Sequence, residues 1–309
     1  MTSFHDTFQA ALRRWGTRDA IVTDVKERVE TACDHGSEPV RFYDVTFSTV
    51  GETRSVTLVI KIALHYEREI LALLNSQGHR NIPLTYAEDL HTPIPMVMCQ
   101  QHAGERRSLT SEEVRTIAHS LAMIHAMNRG DAHHLPGMRR LVSHTFLAWW
   151  RPIWQQALMD QSFVHEFGSY ISEIEQAVVR FTYTLDRLWQ EADSLTMLHT
   201  DLSLWHVLVD HNHLYIIDWD QARYGPWYLD LPNLFTLETV LAYYVGLCNA
   251  GIAPDMVTFL ANFHATWSFV GLKYMIPSIQ DWLHGERIQS RTDLHALLPR
   301  AIAHEAPSI

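Results

Sequence analysis

The sequence predicts an α+β protein in two parts, a small β-rich amino-terminal part followed by a larger, mainly helical one. Three observations predict it. Runs of β-branched and aromatic residues fill residues 27–62, text of helical periodicity takes over after residue 104, and two short strands, HVLVD and HLYIIDW, interrupt that helical text. With 309 residues and 47% hydrophobic content the chain can fill a substantial core.

The elements follow in order. The opening MTSFHDTFQAALRRWG reads as a short amphipathic helix, since it has no apolar core like that of a signal peptide. Strands are expected in ERVETAC, VRFYDVTFS and SVTLVIKI, separated by the turn segments DHGSEP, with Gly36, and VGETR, with Gly51. HYEREILALLNSQ has a charged first turn followed by Ile70, Leu71, Leu73 and Leu74, the spacing of a helix. PIPMVMCQQ reads as one more buried strand. The character changes after His102-Ala103-Gly104, so the expected division is residues 1–103 and 104–309. TSEEVRTIAHSLAMIHAMN opens the second part, with Thr110 and Glu113 spaced as a capping box. Helical, aromatic-rich text continues through FLAWWRPIWQQAL and SYISEIEQAVVRFTYTLDRLWQEA, and resumes after Pro232.

Composition excludes several functions. A formal charge of −11, from 24 basic and 35 acidic residues, gives no electrostatic footprint for a nucleic-acid backbone. The uncharged run at residues 239–254 is broken by Asn249 and two glycines and falls short of the roughly 20 apolar residues that span a bilayer. Cys33, Cys99 and Cys248 are too scattered for a disulfide framework or a zinc site and suit a reducing compartment, so a soluble cytoplasmic protein is expected. Lysine occurs only at Lys26, Lys61 and Lys273, so a lysine inside an apolar run stands out as a candidate functional cation.

The chemistry concentrates in LHTDLSLWHVLVDHNHLYIIDWD, residues 198–220. Asp201 lies in a loop before a strand, where a base can face a cleft, and Asp218 ends the next strand, where a carboxylate can reach a cation. Phosphoryl transfer needs those two functions together with a lysine on the nucleotide phosphates, and little covalent work from the protein.

These residues carry a family resemblance. His199-Thr200-Asp201-Leu202-Ser203-Leu204-Trp205-His206 resembles the HGDxxxxN catalytic loop of the aminoglycoside phosphotransferase and choline kinase families, and Ile217-Asp218-Trp219-Asp220 resembles their metal motif. SLAMIHAM around His125 and Trp227-Tyr228-Leu229-Asp230-Leu231 resemble two further segments. The resemblance implies a two-lobed protein-kinase-like fold with Asp201 as catalytic base, Asp218 on magnesium and Asp230 as a brace for the loop. It makes Lys61 the phosphate-binding lysine, with Glu69 its best partner and Glu67 the alternative. It makes MVMCQQHAG a hinge at about residues 97–104, whose backbone from Cys99 to Gln101 meets the nucleotide base.

Departures from the pattern sharpen the reading. Histidine replaces the usual asparagine ligand at position 206, as in the macrolide phosphotransferase branch, which makes His206 a second candidate metal ligand. Thr200 replaces a glycine, and Ser203 stands where protein kinases carry a phosphate-neutralising lysine, so Ser203 is a candidate phosphate contact. Gly36 and Ser37 in DHGSEP are the candidate phosphate-loop residues, although one glycine is far from a GxGxxG pattern. His199 reads as a loop support and Asp220 has no firm role. The twenty histidines show no zinc-hydrolase signature.

The resemblance thus implies magnesium-dependent transfer of the γ-phosphate of ATP or GTP to the hydroxyl of a small molecule. An antibiotic is the expected acceptor, with His206 favouring a macrolide-like or other non-aminoglycoside compound. The alternatives are a metabolite such as an amino alcohol, sugar or nucleoside, or a kinase-like binding module without activity. Trp149, Trp150, Trp154 and Trp189 read first as core and second as an aromatic wall for the acceptor. An acidic wall of Asp160, Glu166 or Glu173 would favour an amine-bearing acceptor.

Overall fold

The computed structural model describes residues 4–28, 40–130 and 138–303. The chain divides into two compact units, one of residues 1–109 with 204–221, the other of residues 110–203 with 222–309. The strand pair expected inside the helical part therefore groups with the β-rich part, and the division falls at residue 109 instead of 103. Among the described residues no helix is long and apolar enough to cross a membrane.

The first unit holds helix α1 (Phe4–Arg14), strands β1 (Ile21–Glu27), β2 (Arg41–Thr49) and β3 (Glu52–Ala63), helix α2 (His65–Ser76), and strands β4 (Thr85–Tyr86) and β5 (Met96–Gln101). The strands form one antiparallel sheet in the order β1-β2-β3-β5-β4. The strand expected in ERVETAC begins earlier, at Ile21, and Val29–Cys33 lie outside the described residues. The reason is its place at the sheet edge: of IVTDVKE only Val22 is buried, so the alternation carries too few apolar residues to announce a strand. Phe8 and Leu12 of α1 pack with Tyr43, Val45, Leu58, Ile60 and Cys99 in the core of this unit.

The second unit begins with α3 (Ser111–Met127), whose capping box forms as the sequence predicts: Thr110 N donates to Glu113 Oε2 at 2.9 Å and Glu113 N to Thr110 Oγ1 at 3.3 Å. Helices α4 (Ser143–Met159), α5 (Gln161–Phe167) and α6 (Ile171–Leu188) follow. The short strand β6 (Leu195–Leu198) leads to the segment from His199 to His206. Strands β7 (Val207–Asp210) and β8 (His213–Ile216) form the two-stranded antiparallel hairpin of the first unit. The chain then returns through β9 (Arg223–Pro226), which pairs with β6, to helices α7 (Leu237–Asn249), α8 (Met256–Ala265), α9 (Ser268–Leu283) and α10 (Arg287–Ile302). Trp150 and Trp154 are buried in the helical core with Phe181, Phe269 and Trp282, and Trp189 packs partly buried against it. Only Trp149 of the four tryptophans is exposed, so the other three serve as core.

Candidate active site

In the first unit the site is built on the junction of β3 and α2. Strand β3 alternates between the buried Leu58 and Ile60 core positions and brings Lys61 to a cavity of ≈ 590 Å³. One residue, Leu64, separates β3 from α2, which places the first helical turn beside the end of the strand. Lys61 Nζ donates to Glu67 Oε1 at 2.6 Å and to Asp218 Oδ1 at 3.3 Å.

The partner of Lys61 is therefore Glu67 and not Glu69. A helix turns about 100° per residue, so a step of two carries Glu69 to a different face. There it meets His91 Nδ1 at 2.8 Å. Arg68, also buried, fixes the junction by donating to the carbonyls of Ala63 at 2.6 Å, Thr92 at 2.6 Å and Ile94 at 3.2 Å. Burial opposes the charge on Lys61, but Glu67 and Asp218 together hold its ammonium well above the ordinary lysine value.

The strand β5 and its exit supply another wall. Gln100, Gln101, His102, Ala103 and Gly104 line the cavity, whereas Cys99 belongs to the core beneath the sheet, where burial pushes its thiol up. The cavity wall in this strand thus begins at Gln100, one residue after Cys99. Gly104 has φ +86° and lies against Val209, where a Cβ would overlap the backbone. That close approach lets Glu105 and Val209 exchange backbone bonds at 3.0 and 2.9 Å, fixing the chain after β5 on the hairpin.

Asp218 follows β8 with φ +66°, a left-handed backbone that aims its carboxylate into the cavity. His206 precedes β7, and its carbonyl accepts from Ile217 N at 3.0 Å. Closing the hairpin base in this way puts His206 Nε2 3.5 Å from Asp218 Oδ2. Glu67, Asp218 and Asp220 line the cavity with Lys61. Among the described residues no three His, Cys, Asp or Glu side chains are arranged to hold a metal ion unaided. One carboxylate with an adjacent imidazole, in a cavity with excess negative charge, nevertheless fits a magnesium ion that takes its other ligands from phosphates and water. Gly36 and Ser37 lie outside the described residues.

In the second unit the loop after β6 carries Asp201 and Ser203. The buried Asp230 accepts from His199 N and Thr200 N, both at 2.6 Å, and from His125 Nε2 at 3.2 Å. His125 Nδ1 lies 2.7 Å from the Tyr243 hydroxyl, so the carboxylate, imidazole and phenol form one buried network. Asp230 thus braces the loop through its backbone. Thr200 takes the left-handed conformation, φ +63°, that the glycine of the resembled pattern would adopt at no steric cost. Asp201 N donates to His199 Nδ1 at 3.3 Å, the supporting contact expected of that histidine.

Helix α9 supplies two residues that the motif reading misses. Lys273 Nζ donates to Asp201 Oδ1 and, at 2.9 Å, to the Thr200 carbonyl. The Tyr274 hydroxyl also donates to Asp201 Oδ1 and accepts from Asn233 Nδ2 at 2.9 Å. Burial pushes the Lys273 ammonium below the ordinary lysine value although Asp201 pulls the other way, and burial pushes the Tyr274 hydroxyl up. The signal that singles out Lys61, a lysine inside an apolar run, is equally present in FVGLKYMI around Lys273.

The profile of the phosphotransferase enzyme family matches residues 60–268. No curated protein matches the sequence. Among solved structures, a spectinomycin phosphotransferase in complex with ADP and spectinomycin is 15% identical, with 97% of this chain and 98% of that one covered and a TM-score of 0.62. An ethanolamine kinase from Plasmodium vivax is 11% identical over 90% of this chain and 83% of that one, with a TM-score of 0.59. A choline/ethanolamine kinase family protein from Mesorhizobium loti is 12% identical over 97% and 94%, with a TM-score of 0.52. These likenesses establish the fold as kinase-like, and the profile match over more than half the chain establishes that it belongs to the phosphotransferase enzyme family.

Proposed function

We propose that the protein transfers the γ-phosphoryl group of ATP or GTP, with magnesium, to a hydroxyl of a small molecule in the cytoplasm. The observation that carries this reading is the convergence of Lys61, Glu67 and Asp218 on one cavity walled by the exit of β5. A nucleotide base would stack in the apolar part between Val59 and Leu208, with the backbone of Gln101 to Ala103 at its edge, and Lys61 would meet the phosphates. Glu67 holds the ammonium in place while the nucleotide arrives. Asp218 and His206 would hold magnesium, which neutralises charge on the phosphate oxygens when bound.

Asp201 accepts a hydrogen bond from the acceptor hydroxyl, orients it and takes its proton. The acceptor oxygen bonds to the γ-phosphorus as the bond from that phosphorus to the β,γ-bridging oxygen breaks, and the nucleoside diphosphate leaves. Asp230 keeps the loop rigid through the two backbone bonds it accepts. Ser203 remains a candidate phosphate contact from the same loop.

An antibiotic acceptor fits the family, and His206 favours a macrolide-like or other non-aminoglycoside compound. Support for an amine-bearing acceptor is weakened, because two of the acids invoked for it are already paired. Asp160 caps α5 and meets Arg287 at 3.6 Å, and Glu166 meets Arg291 at 2.7 Å and His295 at 2.9 Å. The test is thermal stabilisation by ATP and GTP with and without magnesium, followed by a mass-spectrometric screen of antibiotics and metabolites for an added phosphate. Stabilisation that needs magnesium and a phosphorylated product are expected. Absence of stabilisation by every nucleoside triphosphate would refute the reading.

A further inference from the structure

Lys273 and Tyr274 converge on one oxygen of Asp201 from a helix that starts 67 residues further along the chain, at Ser268. Each contact alone could be incidental. Together they fix the carboxylate about its own axis, because Lys273 also grips the Thr200 carbonyl at 2.9 Å and Tyr274 is itself held by Asn233 at 2.9 Å. The ammonium is largely withdrawn from solvent, at 14% side-chain exposure, and Asp201 is at 22%. Keeping an ammonium there costs desolvation that one salt bridge does not clearly repay, so the pair is a poor choice for stability alone. The lysine also stacks over its neighbour, with Nζ 4.8 Å from the Tyr274 ring centre, which narrows the positions it can take.

We propose that Lys273, assisted by Tyr274, is the positioning residue for Asp201: it sets the carboxylate's orientation and keeps it ionised while an acceptor hydroxyl is present. This rests on the reading of Asp201 as the base. The loop itself, residues 199–206, contains no lysine or arginine for the task. Helix α9 supplies the charge instead.

The other charged groups facing Lys273 are Asp230, which favours its ammonium, and Arg223, which opposes it. Arg300 faces Tyr274. Because burial already lowers the hold of Lys273 on its proton, the positioning contact weakens as pH rises. Because an opposite charge favours a carboxylate's ionised form, removing Lys273 makes Asp201 hold its proton more strongly. The pair therefore shapes both limbs of the rate profile.

The test uses the whole chain with Mg-ATP and water as the acceptor, following release of inorganic phosphate from pH 5 to pH 10. Lys273→Met is expected to lower kcat by about tenfold to a hundredfold and to move the acid limb up by about one pH unit, with ATP affinity within about twofold of wild type. Lys273→Arg keeps a permanent cation, so it is expected to restore most of the rate and to move the alkaline limb to higher pH. A Lys273→Met enzyme with the wild-type rate and profile overturns the proposal. So does a loss of rate that is uniform across pH and not rescued by arginine, the behaviour of a merely structural contact. If Lys273→Met does not fold, Tyr274→Phe carries the test: a smaller loss of kcat with the acid limb shifted the same way supports it, and an unshifted profile overturns it. Asp201→Asn separates the two readings. If it keeps wild-type turnover, or if wild type releases no phosphate, the base assignment fails and the proposal fails with it. If Asp201→Asn is inactive and Lys273→Met is not impaired, only the proposal fails.

Discussion

Lys61 meets Asp218 in the first unit and Lys273 meets Asp201 in the second, two pairs alike in residue type and unlike in the company they keep. Lys61 faces two carboxylates, Glu67 and Asp218, and its charge is secured against burial. Lys273 is bonded to one carboxylate and a carbonyl, the favouring charge of Asp230 is opposed by Arg223, and burial wins. A second hydrogen-bonded carboxylate at Lys61 and the opposing charge of Arg223 at Lys273 set the two outcomes apart. A lysine with two carboxylates is suited to be a fixed cation for phosphates. A lysine with one is suited to respond to the state of that one.

The comparison predicts different failures on each side. The largest effect belongs to Asp201→Ala, which should reduce turnover by about 10³-fold or more while Mg-ATP affinity, measured calorimetrically, stays within about twofold. Lys61→Met should instead weaken Mg-ATP binding by about tenfold to a hundredfold and lower turnover with it. It should also destabilise the fold by about 3 kcal/mol in denaturant titrations, because Glu67 is left buried without its counter-charge. Equal nucleotide affinities in these two variants would erase the distinction between the pairs.

A smaller effect tests the partner assignment. Glu67→Gln should cost about tenfold in turnover, and Glu69→Gln, whose side chain faces His91, less than about twofold. Reversal of that order in steady-state kinetics would return the ion pair to Glu69. The smallest effect concerns the backbone the two pairs share, for each sits at a left-handed residue, Thr200 beside Asp201 and Asp218 itself. Thr200→Gly should raise stability by about 1 kcal/mol, the relief of a β-branched residue at positive φ less the extra entropy of glycine in the unfolded chain. Chemical denaturation would read it, and a destabilised glycine variant would show that Thr200 is held by its side-chain contacts.

Much of the first pair is legible in sequence. SVTLVIKI carries enough β-branched residues to place β3, and the charged turn and leucines of HYEREILALLNSQ place α2. What the text does not carry is where the helix begins relative to the strand, and that one variable decides between Glu67 and Glu69. The β1 edge strand starts earlier than its text suggests for a related reason: an edge buries too little to leave a hydrophobic pattern. The four-residue pairing of β6 with β9 is shorter than any periodicity can reveal. The second pair is legible only by half. Asp201 sits in a contiguous motif, whereas Lys273 meets it across 72 residues, a contact set by the packing of α9 and not by any local rule.

The scarcity of lysine has a practical consequence for chemical labelling. Lys26 has 77% of its side chain exposed, against 18% for Lys61 and 14% for Lys273. A bulky acylating reagent therefore has one ready lysine target on the native surface, while a small one reads the remaining two by how fast each disappears from the unmodified peptide pool. Because Lys61 opens into the cavity but Glu67 and Asp218 keep its amine protonated, an aldehyde-bearing adenosine analogue should label it slowly, against a faster background at Lys26. The protein's own amine content makes it a self-indexed target for amine labelling.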